Sequence, residues 1–291
     1  MASGRGVVAL ESTILAHGLP SPENRAIADQ IEDAVRAAGA VPATIAVLDG
    51  KVNVGLGVRD LDRLCSAGTS FTKLSVRDIG PAVALGRDGA TTVASTAAVA
   101  HRVGISVFAT GGLGGVHRGW GATMDVSADL GVLARTPIVV VCAGVKSILD
   151  VPATLEYLET ASVPVIGYRT DAFPGFYLTD SGYSVYWRVE SAAAAAEVLL
   201  VRRELGLDRA AVVLANPLPT DRQLDLALHD RVLADGLADL EAGGVAGKDV
   251  TPRLLEYFHA HTGGESLRVN VELVLSNAGL AGQVAVEIAA R

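Results

Sequence analysis

Residues 138–147 read IVVVCAGVKS, and the first five of them decide the architecture. An unbroken β-branched run, with no polar residue alternating through it, suits a strand buried on both faces. Such strands belong to parallel sheets covered by helices. Outward from this stretch the same texture recurs at Gly6–Leu10, Ala43–Leu48, Ile105–Ala109, Val163–Tyr168 and Ala211–Ala215. Helical patterns lie between them. Ser21–Ala38 is amphipathic, with Ser21 placed to cap it, Pro22 in its first turn and Gly39 to end it. Asp60–Ala67, the Ala-, Thr- and Ser-rich Gly89–Val103, Ser191–Leu205, Asp221–Gly243, Thr251–Thr262 and the segment from about Leu267 also read as helices. Strands alternating with helices predict an α/β fold, a mainly parallel or mixed central sheet flanked by helices. No linker or low-complexity tract divides the chain, so residues 1–291 are expected to form one domain. The stretch Phe173–Val189 differs in composition. It gathers Tyr177, Tyr183, Tyr186 and Trp187, and reads either as a peripheral hairpin packed with aromatics or as a lid.

Composition narrows the functional classes. Half of the 291 residues (50%) are hydrophobic, enough for a large core. With 24 basic and 32 acidic residues the net charge is −8, which argues against non-specific nucleic-acid binding. Any phosphate must be met by a local site. The longest apolar run, around Ile138–Val145, falls well short of the roughly 18–20 residues of a membrane span. Glu11 interrupts Val7–Leu10 before a signal-peptide core can form, so the expected location is the cytoplasm. Cys65 and Cys142 form no CxxC pair and read as buried thiols.

Four features carry chemistry. Thr110–Gly121 reads TGGLGGVHRGWG, with six glycines in twelve residues, directly after a strand. Glycine lets backbone N–H groups converge on an anion. The loop is neither a Rossmann fingerprint, since His117 stands where the last glycine would fall, nor a P-loop. His117 and Arg118 add donors, His117 reading equally as a ligand contact or a structural residue. Asp125 and Asp129 follow, four apart. On a helix they would share a face and suit a hard cation held largely through water, or they would simply mark an acidic helix start. Lys146 stands directly after the buried strand. Desolvation makes an amine nucleophilic toward a carbonyl, while the plainer reading is a structural lysine that reaches solvent. Glu11 ends the first strand, where a carboxylate near apolar neighbours can carry a raised pKa and act as general acid or base, or else cap or form a surface ion pair.

Taken together, VALESTILAHGLP (8–20), VPATIAVLDG (41–50), GATTVAST (89–96), VFATGGLGGVHRG (107–119), DVSADL (125–130), VVCAGVKSILD (140–150), LEYLET (155–160), LANPLP (214–219) and the GK…TP…TGG…SL…N series after it resemble the pseudouridine-5′-phosphate glycosidase family. The resemblance covers nearly the whole chain. It implies an enzyme that breaks or makes a C–C bond between ribose 5-phosphate and uracil. Carbon is a poor leaving atom, so an ordinary carboxylate pair does not suffice. The family opens the ribose and holds C1′ as an imine on a lysine, matched here by Lys146. Glu11 matches the residue that moves the proton at the base carbon. Asp125 matches the ligand of a divalent metal, typically Mn²⁺, held mainly through water. Ser127, Ala128 and Asp129 match a substrate-contact segment, and Lys73, Val93, Thr110, His117 and Asn270 match contacts to sugar, phosphate or base. The resemblance also implies a homotrimer.

Some positions depart from the family. Leu74-Ser75-Val76-Arg77 stands where a basic pair is common, and Trp120–Met124 where an acidic residue and a Phe are typical. Lost charge and added aromatics suit a larger, flatter aglycone. The alternative reading is therefore a C-glycosynthase that joins ribose 5-phosphate to an aromatic polyketide, as in alnumycin assembly. A plain Schiff-base aldolase would need no Glu11, and a sugar-phosphate binding protein neither Glu11 nor Lys146.

Overall fold

The computed structural model describes residues 4–66, 71–245, 247 and 250–291. Ala67, at the end of one expected helix, and Lys248, in the GK…TP series, lie outside the described residues. In chain order the elements are β1 (Val7–Leu10), α1 (Glu23–Ala37), β2 (Val41–Leu48), β3 (Lys51–Val54), α2 (Val58–Cys65), β4 (Thr72–Leu74), α3 (Val76–Ala84), β5 (Gly89–Thr91), α4 (Val93–Arg102), β6 (Val107–Ala109), α5 (Trp120–Thr123), α6 (Ala128–Leu133), β7 (Val139–Cys142), α7 (Val151–Thr160), β8 (Val165–Tyr168), β9 (Ala172–Gly175), β10 (Leu178–Ser184), β11 (Trp187–Val189), α8 (Ala192–Glu204), β12 (Val212–Ala215), α9 (Leu226–Ala242), α10 (Val250–His261) and α11 (Glu265–Ala289). A π-helical turn, Ile14–Gly18, follows β1.

Ten strands form one sheet in the order β11-β8-β12-β7-β6-β1-β2-β5-β4, with β3 also on β2. From β11 to β2 every pairing is parallel. Only β3 and β5 meet β2 antiparallel, and β4 runs parallel to β5. The sheet is thus mixed and mainly parallel, as the β-branched runs predict. All four residues of β7 and of β12 are buried. That is the reason their sequences show no alternation.

Two groups of helices flank the sheet. α11 crosses β1, β6 and β7, with α1 and α8 against it, whereas α4 touches β1, β5 and β6 and packs on α3 and α6. By length and composition α11 could cross a membrane, but half of its most apolar stretch is buried inside the protein. Its contacts make it the core helix.

The structure corrects several local expectations. Gly89–Thr91 is a strand, paired with β4 and β2 and with Gly89 packed tightly on Leu74, and the helix starts only at Val93. Ser21 does not cap α1. Its hydroxyl donates to the Cys65 carbonyl, and the helix begins at Glu23. β3, β4 and α3 were not among the expected elements. The aromatic stretch splits in two. Phe173–Tyr177 is buried, and β9 and β10 form the expected hairpin. Tyr186 and Trp187 are exposed, with Trp187 on the edge strand β11, three positions from β7.

Candidate active site

Parallel strands present their C-terminal ends to one edge of the sheet, the usual ligand crevice of an open α/β fold. Glu11 leaves β1, Thr110 leaves β6, Lys146 follows β7 and Asn216 follows β12. The segments after β6 and β7 continue the sheet's ladder. Thr110 N–H donates to Val141 O, Ala143 N–H to Gly111 O, and Leu113 N–H to Gly144 O. The glycine-rich loop and the lysine loop therefore lie side by side.

Lys146 is half-buried and its Nζ donates to Gly112 O at 3.0 Å. Phe176, with a left-handed backbone at φ 61°, packs against Gly112. Gly144, at φ 72°, carries the loop past Pro174, whose carbonyl a Cβ would strike at 1.9 Å. Only glycine fits there.

Glu11 accepts a hydrogen bond from the Thr110 hydroxyl. A small, mostly apolar pocket lies against it, lined in part by Leu10, Ile14, Leu15, Ala109 and Val274. Burial raises the Glu11 carboxyl above its ordinary 4.5. Lys146, Thr110 and Lys73 pull it back, and Asp129 adds to the rise. The carboxyl is thus inclined to keep its proton beside a lysine. Beneath it, the Ser12 and Thr91 hydroxyls both donate to Ile45 O, at 2.6 and 2.7 Å, and Thr91 N–H donates to Ser12 Oγ at 2.8 Å. These bonds fix the backbone that carries Glu11.

Asp129 does not share a helix face with Asp125, contrary to one of the two readings of their spacing. α6 begins at Ala128, so Asp125 lies outside it. Asp129 instead accepts from Ala94 N–H through one oxygen and Gly114 N–H through the other, each at 2.9 Å. It thereby locks the glycine loop to the start of α4. Ser127 Oγ caps α6 by accepting from Asp129 N–H at 3.2 Å. Gly114 is required because a Cβ there would stand 2.3 Å from Ser127 Oγ and 2.7 Å from Asp129 Oδ2. Ala128 is exposed. Val93 is buried at the start of α4, so it offers a ligand main chain only.

His117 and Asp125 are joined by a backbone bond, His117 N–H to Asp125 O at 3.1 Å, and their side chains stand 3.7 Å apart. Burial lowers the His117 pKa. Asp125 opposes this and Lys73 adds to it. Lys73 acts on Glu11, His17 and His117 alike, which places it among them. Among the described residues no group of three or more His, Cys, Asp or Glu surrounds a metal position. A single carboxylate with a histidine beside it still fits a hard cation held mostly by water. Asn270, on α11, is buried with its Oδ1 unpartnered. It sits one turn before Val274, which packs on Gly111.

Three residues were not anticipated. Asn277 donates to the carbonyls of Thr110 and Gly111, at 2.8 and 3.3 Å, and Asn216 donates to Asn277 Oδ1 at 2.9 Å. His229, on α9, reaches Ser147 at 2.7 Å. Asn277 and His229 stand alone inside apolar helical patterns, and Asn216 directly after β12; none of these settings gives a local signal of its partner. His17 carries such a signal only through the quoted motif at 8–20.

The model of the family described as indigoidine synthase A like protein matches residues 1–287. A pseudouridine-5′-phosphate glycosidase from Salinispora tropica is 59% identical over 288 residues, covering 99% of this chain and 89% of its own length. Another from Frankia alni is 56% identical over 291 residues, 100% of this chain and 80% of its own. The crystal structure of the prealnumycin C-glycosynthase AlnA in complex with ribulose 5-phosphate is similar at a TM-score of 0.90 and 41% identity, covering 99% of this chain and 93% of that one. An indigoidine synthase A-like protein from Thermotoga maritima gives 0.91 at 35% identity, with coverage of 99% and 95%.

Proposed function

Because the chain belongs to the indigoidine synthase A like family, we propose that it cleaves the C–C glycosidic bond of pseudouridine 5′-phosphate, giving uracil and ribose 5-phosphate. The observation that carries this reading is a half-buried Glu11, its pKa raised, within electrostatic reach of Lys146, the two lying past the ends of β1 and β7 on either side of β6. The glycosidases at 59% and 56% identity support the same substrate.

The chemistry follows from these groups. The ribose ring opens as Lys146 Nζ replaces the ring oxygen on C1′ and its proton passes to that oxygen; the nitrogen lone pair then expels the aglycone and leaves C1′ as an imine on Nζ. Glu11 delivers a proton to the aglycone carbon as the bond breaks. Water then hydrolyses the imine and frees the sugar. The upward direction of the Glu11 shift suits a proton donor. Lys73, Thr110, His117 and Asn270 contact the sugar phosphate and base, Val93 through its main chain. Ser127, Ala128 and Asp129 shape the adjoining wall. Asp125 would hold Mn²⁺, mainly through water, and the cation would supply positive charge to an anionic substrate.

The test is uracil release from pseudouridine 5′-phosphate with Mn²⁺, with Glu11→Ala and Lys146→Ala as controls. Release lost in both variants supports the reading. Release that survives Lys146→Ala sinks the imine.

A second reading rests on the loop beside His117. Trp120 N–H bonds the His117 carbonyl, and the Trp120 and Met124 side chains are 43% and 74% exposed. That apolar rim, with the 41% identity to AlnA, favours bond formation to a flat aromatic aglycone such as a polyketide. A folded protein that forms a borohydride-trapped adduct with ribose 5-phosphate but releases no uracil would be this synthase.

A further inference from the structure

The lysine loop is held from outside the sheet by one residue of α9. His229 is 3% exposed, and its Nε2 lies 2.7 Å from Ser147 Oγ, on the residue next to Lys146. Its Nδ1 lies 3.0 Å from Asp230 Oδ1. A carboxylate only accepts, so the Nδ1 carries the proton and donates to Asp230. Nε2 is then the acceptor, and the Ser147 hydroxyl donates to it. Burial lowers the His229 pKa, which keeps the ring neutral and this arrangement in place.

The same residue is tied at its carbonyl. Arg118 Nη2 donates to Ser147 O and its Nε to Ile148 O, each at 3.2 Å. Lys146 itself is bonded through its main chain, N–H to Leu113 O at 3.3 Å and O from Leu149 N–H at 2.9 Å. With Ser147 fixed at both side chain and carbonyl, the Cα of Lys146 has little freedom. Only its side-chain torsions remain to carry Nζ from Gly112 O to a substrate carbon. A buried imidazole is an expensive way to fill space against Phe258, whose ring centroid is 5.6 Å away. An apolar side chain would serve packing alone.

We propose that Ser147 and His229 are a positioning pair for Lys146, holding the lysine loop so that Nζ meets the sugar carbon in a productive geometry. This rests on the imine reading of the site. Neither residue touches substrate. Their effect is on the geometry of attack, where a small misplacement is costly.

The experiment follows borohydride-trapped adduct formation with ribose 5-phosphate by intact mass, together with kcat and KM for pseudouridine 5′-phosphate. Ser147→Ala and His229→Phe are expected to slow adduct formation and lower kcat about tenfold, the scale of one hydrogen bond expressed in the chemical step, with KM unchanged. His229→Gln, whose amide oxygen accepts near the position of Nε2, is expected to recover most of that loss. A folded Ser147→Ala protein that forms adduct at the wild-type rate overturns the proposal, as does a change confined to KM. If His229→Phe does not fold, Ser147→Ala, which deletes one oxygen, carries the test. Wild-type protein that forms no adduct overturns the imine reading instead.

Discussion

Glu11 and Thr110 face each other because the residues before them, Leu10 and Ala109, are register partners on adjacent parallel strands. One more step along each strand brings a carboxylate and a hydroxyl together at the sheet's C-terminal edge, and Thr110 donates to Glu11. The hydrogen bond favours the charged carboxylate, while burial favours the neutral one, and burial prevails.

Thr110→Val removes the donor and leaves the burial. The Glu11 pKa should rise further, and the proton-donor form should persist to higher pH. The alkaline limb of the kcat/KM profile is expected to move upward in pH relative to wild type. A limb that moves downward would show that Thr110 does not act on Glu11.

Glu11→Gln should lower turnover about 10²–10⁴-fold, the usual worth of a general acid. It should also change how stability depends on pH. Glu11 binds its proton more tightly when folded, so wild-type stability falls as pH rises from its ordinary 4.5 through the raised folded value. The Gln variant lacks that titration. Its Tm relative to wild type is therefore expected to climb across this window and to stay flat below it, as measured by thermal melts at stepped pH.

Asn277→Leu should take the side-chain donor from the Thr110 carbonyl and one hydrogen bond each from the Gly111 carbonyl, which keeps Ala143 N–H, and the Asn216 amide, which keeps Ser276. The expected cost is about 2–3 kcal/mol in urea unfolding, because buried polar groups lose their hydrogen bonds. A cost under about 0.5 kcal/mol would show that the carbonyls find other donors.

Asp129→Asn keeps one acceptor for the two N–H groups that Asp129 serves, at Ala94 and Gly114. A loss of about 1–3 kcal/mol is expected. Gly114→Ala should cost at least as much, since its Cβ meets Ser127 and Asp129 within 2.7 Å. Both variants should also lose turnover, because the glycine loop carries the carbonyl that holds Lys146 Nζ. Unchanged kinetics in a destabilised Asp129→Asn protein would separate the lock from the chemistry.

Periodicity served best where burial is complete. Val139–Cys142 and Val212–Ala215 are readable as inner strands because nothing polar can sit on either face. The short strands β3, β4 and β5 give no such pattern. Three or four residues cannot establish a period, and β5 is dominated by small residues that also suit a helix. The antiparallel insertion of β3 and β5 beside β2 is a matter of topology, which no local stretch records. At the site, Glu11, Thr110 and Lys146 are legible because each directly follows or closely trails a strand. Asn277 and His229 are not, and Asn216, though it directly follows β12, shows nothing of its bond to Asn277, because their meaning lies in partners far away in the chain. The spacing of Asp125 and Asp129 admitted a shared helix face. The helix starts between them, and the two carboxylates point to different tasks.

Asn277 gives the site a dependence on the order of synthesis. It sits on α11, which follows every described strand in the chain, yet it supplies the donors for the carbonyls where the glycine loop begins. A ribosome exposes Glu11 first and Lys146 midway, and the loop between them still lacks its support. The crevice is finished only when the last long helix has emerged and settled across the sheet. Nascent chains arrested before that point carry Glu11 and Lys146 but lack both Asn270 and Asn277, and should be inert.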